Sequence, residues 1–179
     1  MKNNSIKPRS EIKVVNVVCT GDLKQQVDIT CFNQFDFLKT NLKVYRCGYV
    51  KTKNMSGRVT VFKSGKIISV GTKSIDFAIK ELETASKLLK KYGLISKFSL
   101  KPQIRNIVSN IDLKRKIDLE KFARSIPKVM YEPEQFSGLV LRFSGSIVAL
   151  IFASGKIILT GAKSYTDLNE SYFELNKIF

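Results

Sequence analysis

Histidine is missing altogether from the 179 residues of this chain, which removes the commonest general base and metal ligand. No Gly-rich phosphate loop or nucleophile elbow stands in for it, so no metal or cofactor is expected and the chain reads as a non-enzyme. Cysteine is scarce: Cys19, Cys31 and Cys47 are odd in number and widely spaced. That suits neither a disulfide framework nor a CxxC metal site and leaves them as small core or sheet residues. Long apolar runs are absent too. No stretch approaches the ~18 residues that a membrane span needs, and residues 1–10 lack the apolar block of a signal peptide. The expectation is a soluble, intracellular protein with no membrane partner.

Acidic residues are the remaining deficit, with 31 Lys+Arg against 15 Asp+Glu and a net charge of +16. Both halves of the chain share the excess. Such a surplus repels itself in the folded state, and a polyanion is its natural partner, nucleic acid first. The apolar content of 44% suffices for one sizeable core or two small, packed ones.

What the sequence does have is an internal repeat with a spacing of about 90 residues. Asn16 and Val18 recur as Asn106 and Val108, Asp22-Leu23-Lys24 as Asp112-Leu113-Lys114, and Asp28 and Phe32 as Asp118 and Phe122. The densest match sets Phe62–Ile68 (FKSGKII) against Phe152–Ile158 (FASGKII). A long unit present twice suggests two half-domains related by approximate two-fold symmetry, with an N-terminal tail at 1–10 and repeats at 11–93 and 101–179.

Within each unit the order reads strand, short helix, three strands, long helix. In the second copy, 104–111 is β-branched, and Leu119, Phe122, Ala123 and Ile126 have the spacing of a short helix that stops before Pro127. Strands follow near Ser137–Phe143, Ser146–Ala153 and Lys156–Thr160, punctuated by Ser-Gly turns. The first copy offers Lys43–Lys51, Gly57–Lys63 and Lys66–Val70. Each unit closes with a helix capped by Ser74 or Ser164, the latter with Asp167 in capping-box position. The pattern is α+β: one antiparallel sheet of about eight strands with helices on one side.

One face of such a sheet should meet water and be polar, yet in the strand at Val148–Ala153 both faces are apolar. Taking Phe62 and Phe152 as facing away from the helices, period-2 parity assembles the other face. Thr60, Phe62 and Ser64 match Leu150, Phe152 and Ser154; Lys66, Ile68 and Val70 match Lys156, Ile158 and Thr160. Tyr45 and Lys51 match Phe136 and Arg142, and Asn16 and Val18 match Asn106 and Val108. An apolar floor, an amide in each repeat, paired aromatics and cations at the strand ends are what an A·T minor groove calls for. Amides reach the base acceptors, cations meet phosphates, and aromatic wedges unstack base steps.

The residues also carry a family resemblance. Tyr131–Arg142 (YEPEQFSGLVLR), Ala149–Lys163 (ALIFASGKIILTGAK) and Ile104–Val108 (IRNIV) closely resemble the C-terminal repeat of TATA-box-binding proteins. Lys13–Val18 (KVVNVV) and Val61–Ile68 (VFKSGKII) resemble the N-terminal repeat, so the resemblance spans 11–179. It implies a saddle whose curved sheet, with helices on the convex side, grips the minor groove and bends promoter DNA. Phe136 with Phe152 and Tyr45 with Phe62 become kinking pairs, and Asn16 and Asn106 lie near the pseudo-dyad. It further implies that Glu132, Glu134 and Gln135 contact transcription factor B, that RNA polymerase is recruited, and that the protein works on DNA in an archaeal cytoplasm or eukaryotic nucleus.

This chain departs from the family pattern in its first repeat: Tyr45 stands in place of Phe, Lys51 of Arg and Val70 of Thr, and no YEPEQF-like run precedes Tyr45. The link from Phe143 to Ile147 lacks the usual proline and is one residue short. Two alternatives stay open at this point, a basic RNA-binding sheet protein and a diverged paralogue with reduced TATA specificity.

Overall fold

The computed structural model describes residues 11–127 and 129–179; the expected N-terminal tail, 1–10, lies outside them. The first repeat runs β1 (Ile12–Asp22), a single 3-10 turn at Phe32–Gln34, β2 (Leu38–Thr40), β3 (Cys47–Val50), β4 (Arg58–Phe62), β5 (Lys66–Thr72) and α1 (Ile75–Lys91). The second runs β6 (Gln103–Asp112), α2 (Leu119–Ser125), β7 (Val129–Met130), β8 (Leu139–Arg142), β9 (Val148–Ile151), β10 (Lys156–Ala162) and α3 (Tyr165–Ile178). The chain divides into two compact units, one holding Val15–Asn106 and the other Ile107–Phe179 with residues 11–14.

The two repeats share one topology. Their strands lie in the orders β2-β3-β4-β5-β1 and β7-β8-β9-β10-β6, antiparallel at every step. The α+β layout and the duplication expected from sequence are present, but each repeat has five strands rather than four. The additions are edge strands of three residues at β2 and two at β7, too short to show a period.

The short helix forms in one repeat only. Asp118 Oδ1 accepts the Lys121 N–H at 3.0 Å and caps α2. Its counterpart Asp28 turns instead to Thr30, accepting from the backbone N–H at 2.9 Å and the hydroxyl at 2.6 Å. That Asx turn competes with helix initiation. Strand β3 also begins at Cys47 rather than at Lys43, because Asn41–Tyr45 closes a turn in which the Tyr45 N–H donates to the Asn41 carbonyl at 2.9 Å.

Helices cover one face of each sheet. Val59, Val61 and Ile67 are buried against the α1 stripe Ala78, Leu82, Ala85 and Leu89, and Ala149, Ile157 and Leu159 lie on the side covered by Leu168 and Leu175 of α3. Each large aliphatic side chain so buried contributes about 1.5–3 kcal/mol. Both helix starts are capped as expected. Ser74 Oγ accepts from Phe77 N at 3.2 Å, and Ser164 with Asp167 completes a capping box. The repeated Ser-Gly turns have a steric cause. Gly65 and Gly155 both sit at φ +85°, where a Cβ would come 1.9 Å from the carbonyl oxygen of Gln25 or Arg115.

Candidate nucleic-acid interface

On β4 and β5, Val59, Val61, Ile67 and Ser69 are wholly buried, while the intervening Thr60, Phe62, Ile68 and Val70 are half-buried and face away from α1. The second repeat repeats this, with Leu150, Phe152, Ile158 and Thr160 half-buried on the open face. Strand register joins them into rows, Thr60 beside Ile68 and Leu150 beside Ile158. Asn16 and Val18 alternate with the buried Val17 and Cys19, and Asn106 and Val108 with Ile107 and Ser109. These amides and valines therefore line the same open faces. Asn16 Oδ1 accepts the Gly71 N–H at 2.8 Å, which orients its NH2 group as the donor.

Lys66, Ser64, Lys156 and Ser154 stand exposed where β5 and β10 begin, and Arg142 is exposed at the end of β8. Lys51 is exposed as well, but its ammonium donates to three carbonyls, those of Met55 at 2.6 Å, Ser56 at 2.9 Å and Gly57 at 2.5 Å. All three N–H groups of the ammonium are thus engaged. The same loop is held from inside by buried Glu81 of α1, whose Oε1 accepts the Gly57 N–H at 2.8 Å. Lys51 is in this way a clasp on the β3–β4 loop.

The wedge positions differ between repeats. The Phe136 and Phe152 rings meet edge to face with centroids 5.9 Å apart. Tyr45 is 59% exposed, against 38% for Phe136. Glu132, Glu134 and Gln135 are all exposed, and the Glu132 carbonyl accepts from the N–H groups of Gln135 and Phe136, both at 2.9 Å. The Asn41 carbonyl does the same for Val44 and Tyr45, so one turn launches both aromatics although the first copy has no YEPEQF-like run.

Two grooves flank the phenylalanines. One, of about 820 Å³, is walled by Phe62, Lys24, Lys66, Lys101 and Arg105; the other, of about 570 Å³, by Phe152, Lys13, Lys114 and Lys156. Lys24 and Lys114 adopt the left-handed conformation at φ +59° and +57°. Asp22 and Asp112 hold them there, each accepting the lysine backbone N–H at 2.8 and 2.9 Å and pairing with its ammonium at 3.1 and 3.0 Å. Those backbone and side-chain hydrogen bonds hold both carboxyls below the ordinary aspartate value.

Sequence parity overlooked four residues of the open faces. Tyr49 lies beside Thr60 and Arg58 beside Val70, with the Arg58 guanidinium 4.7 Å from the Tyr49 ring centroid. Their counterparts are Val140 beside Leu150 and Val148 beside Thr160. Carrying the alternation two residues back from Thr60 and two back from Lys51 finds the first pair.

The family model described as "Transcription factor TFIID (or TATA-binding protein, TBP)" matches this chain twice, at residues 11–92 and 101–179. The chain belongs to the TATA-binding protein family. It is 39% identical over 170 residues to the TATA-box-binding protein of Cenarchaeum symbiosum, covering 94% of this chain and 93% of that one. Its identity to the Aeropyrum pernix TATA-box-binding protein is 38% over 180 residues, 96% and 84% of the two chains. The solved structure of Methanococcus jannaschii TBP superposes with a TM-score of 0.80 at 29% identity, covering 94% of this chain and 97% of that one. The TBP fold of this chain thus follows from sequence and coordinates alike. Among the described residues no helix is long and apolar enough to cross a membrane.

Proposed function

We propose that this TATA-binding protein family member is a transcription initiation factor that binds TATA-box DNA in the minor groove, bends it, and recruits transcription factor B and RNA polymerase. The observation that carries the reading is the duplicated open face: half-buried apolar rows beside a phenylalanine, an asparagine, and lysines at the strand ends. A protein face that is apolar yet uncovered by helices needs another covering surface. The base edges and sugars of an A·T minor groove match it in chemistry, with phosphates at the rim for Lys66, Lys156 and Arg142. The role is one of binding, with DNA and the initiation machinery as partners and no catalytic step.

Gel-shift titrations on a TATA duplex and on one with G·C substitutions test this directly. Each mismatched pair is expected to cost about 1–3 kcal/mol, and end-to-end energy transfer should report bending on the TATA duplex. Equal affinity for both duplexes, or straight DNA, overturns the proposal.

A further inference from the structure

The ring pair of the second repeat depends on a hydrogen atom. Gly138 precedes Leu139, whose strand partner is Ile151, so it lies level with Phe152. A Cβ at Gly138 would fall 2.8 Å from Phe136 Cε1 and 3.1 Å from Phe152 Cε1. Glycine is what lets the two rings close over the strand. In the first repeat that place belongs to Cys47, directly opposite Phe62 and 7% exposed. A side chain thus stands where the second repeat has only a hydrogen atom, and Tyr45 is 59% exposed. Among the described residues no ring contact joins Tyr45 to Phe62.

The first repeat carries something else in return. The Arg58 guanidinium lies over the Tyr49 ring, where the second repeat has only Val148 and Val140. The Thr160 hydroxyl has no counterpart at Val70, and the donor beside that position is now Arg58. A wedge that enters a base step must leave water. Paired phenylalanine rings do so without loss of a hydrogen bond, whereas the Tyr45 hydroxyl would need a partner between the bases. A guanidinium stacked on a ring is preorganised and suits the negative potential and acceptors of a narrow groove.

We propose that the two repeats divide the work on DNA. The Phe136–Phe152 block of the second repeat opens a base step and supplies the kink. The first repeat grips its half-site without a matching kink, through Arg58 on Tyr49, and Cys47 in place of glycine is the residue that decides this. The inference rests on the minor-groove reading above.

The test is the bend of an end-labelled palindromic TATA duplex, read by energy transfer in saturating protein. Tyr45→Phe with Cys47→Gly, which gives the first repeat the second's residues, should increase the bend. Gly138→Ala, whose methyl group pushes the Phe136 ring aside, should decrease it, with a thermal melt to confirm folding. Arg58→Val should weaken binding about tenfold, less in proportion on a G·C-substituted duplex than on TATA. A folded Gly138→Ala protein that bends DNA like the wild type overturns the inference, as does a double variant with no gain in bend. The double variant decides alone if Gly138→Ala does not fold. An Arg58→Val loss equal on both duplexes assigns Arg58 to phosphate and overturns its base-edge role. Wild-type protein that leaves the duplex straight overturns the minor-groove reading and this inference together; wild-type bending that neither variant alters overturns this inference alone.

Discussion

Phe152 and Lys156 lie four residues apart on one open face, yet their removal should fail in different ways. Phe152 is half of the ring pair, so Phe152→Ala should weaken TATA binding and reduce bending together, as circular-permutation or energy-transfer assays would record. Lys156 is an exposed cation at the start of β10. Lys156→Ala should weaken binding to every sequence alike and flatten the salt slope by about one unit. Lys51 is the contrasting case, because its ammonium is consumed by three loop carbonyls. Lys51→Ala should lower stability by about 1 kcal/mol, a figure held down by the exposure of the group. Denaturant titration checks that, and an unaltered salt slope of DNA binding distinguishes the clasp from a phosphate contact.

Among the elements, the paired Asp-Leu-Lys turns set a pH response. Asp22, Asp28, Asp112 and Asp167 are all held below the ordinary value of 3.8, chiefly by hydrogen bonds from Lys24, Thr30, Lys114 and Ser164 respectively. A folded-state value below the unfolded one means stability that is present above about pH 4 and lost as pH falls through the folded value. Melting temperature should therefore be flat from neutrality to about pH 5 and drop below pH 4. The Asp22→Asn, Asp112→Asn double variant, which keeps an acceptor for the turn, should show a shallower drop across pH 2–5; an unchanged profile would assign the acid transition elsewhere. The turn before Phe136 carries the third chemistry of the second repeat. Glu132 and Glu134 are exposed carboxylates in a basic protein, where the first repeat's equivalent turn exposes Leu42 and Val44. Glu132→Arg should spare DNA binding and abolish the ternary complex with transcription factor B in a supershift assay, since a like charge is set against whatever basic surface the carboxylate meets.

At the scale of the molecule, the net charge of +16 makes ionic strength the main control on affinity. Lys13, Lys24, Lys66, Lys101, Lys114, Lys156 and Arg105 all line the two grooves beside the phenylalanines. If about six of these cations reach phosphates, affinity should fall roughly a thousandfold between about 50 and 200 mM salt. A titration showing a log-log slope shallower than about −3 would mean that the grooves do not track the backbone. Asp22 and Asp112 temper the same surface, since each already neutralises one groove lysine.

The duplication, the α+β order and much, though not all, of each open face were legible in the residues alone. Identical strings 90 residues apart report a repeat without any structure, and alternation along a strand assigns faces because successive Cβ atoms point to opposite sides. Helix caps at Ser74 and Ser164 were equally local, involving partners three residues away. What the tertiary structure decided is which of several possible partners a side chain takes, within a loop, across strands or from a helix. The Asp28 choice of Thr30 over a helix, the spending of Lys51 on its own loop, and the bracing of that loop by Glu81 from α1 leave no periodic trace. Nor does the space at Gly138. Whether a glycine there matters depends on a phenylalanine on the next strand, brought level by register. The sequence led to the expectation of an aromatic pair in each repeat; the structure joins Phe136 to Phe152, and among the described residues no ring contact joins Tyr45 to Phe62, because a side chain's room is set by what folds against it.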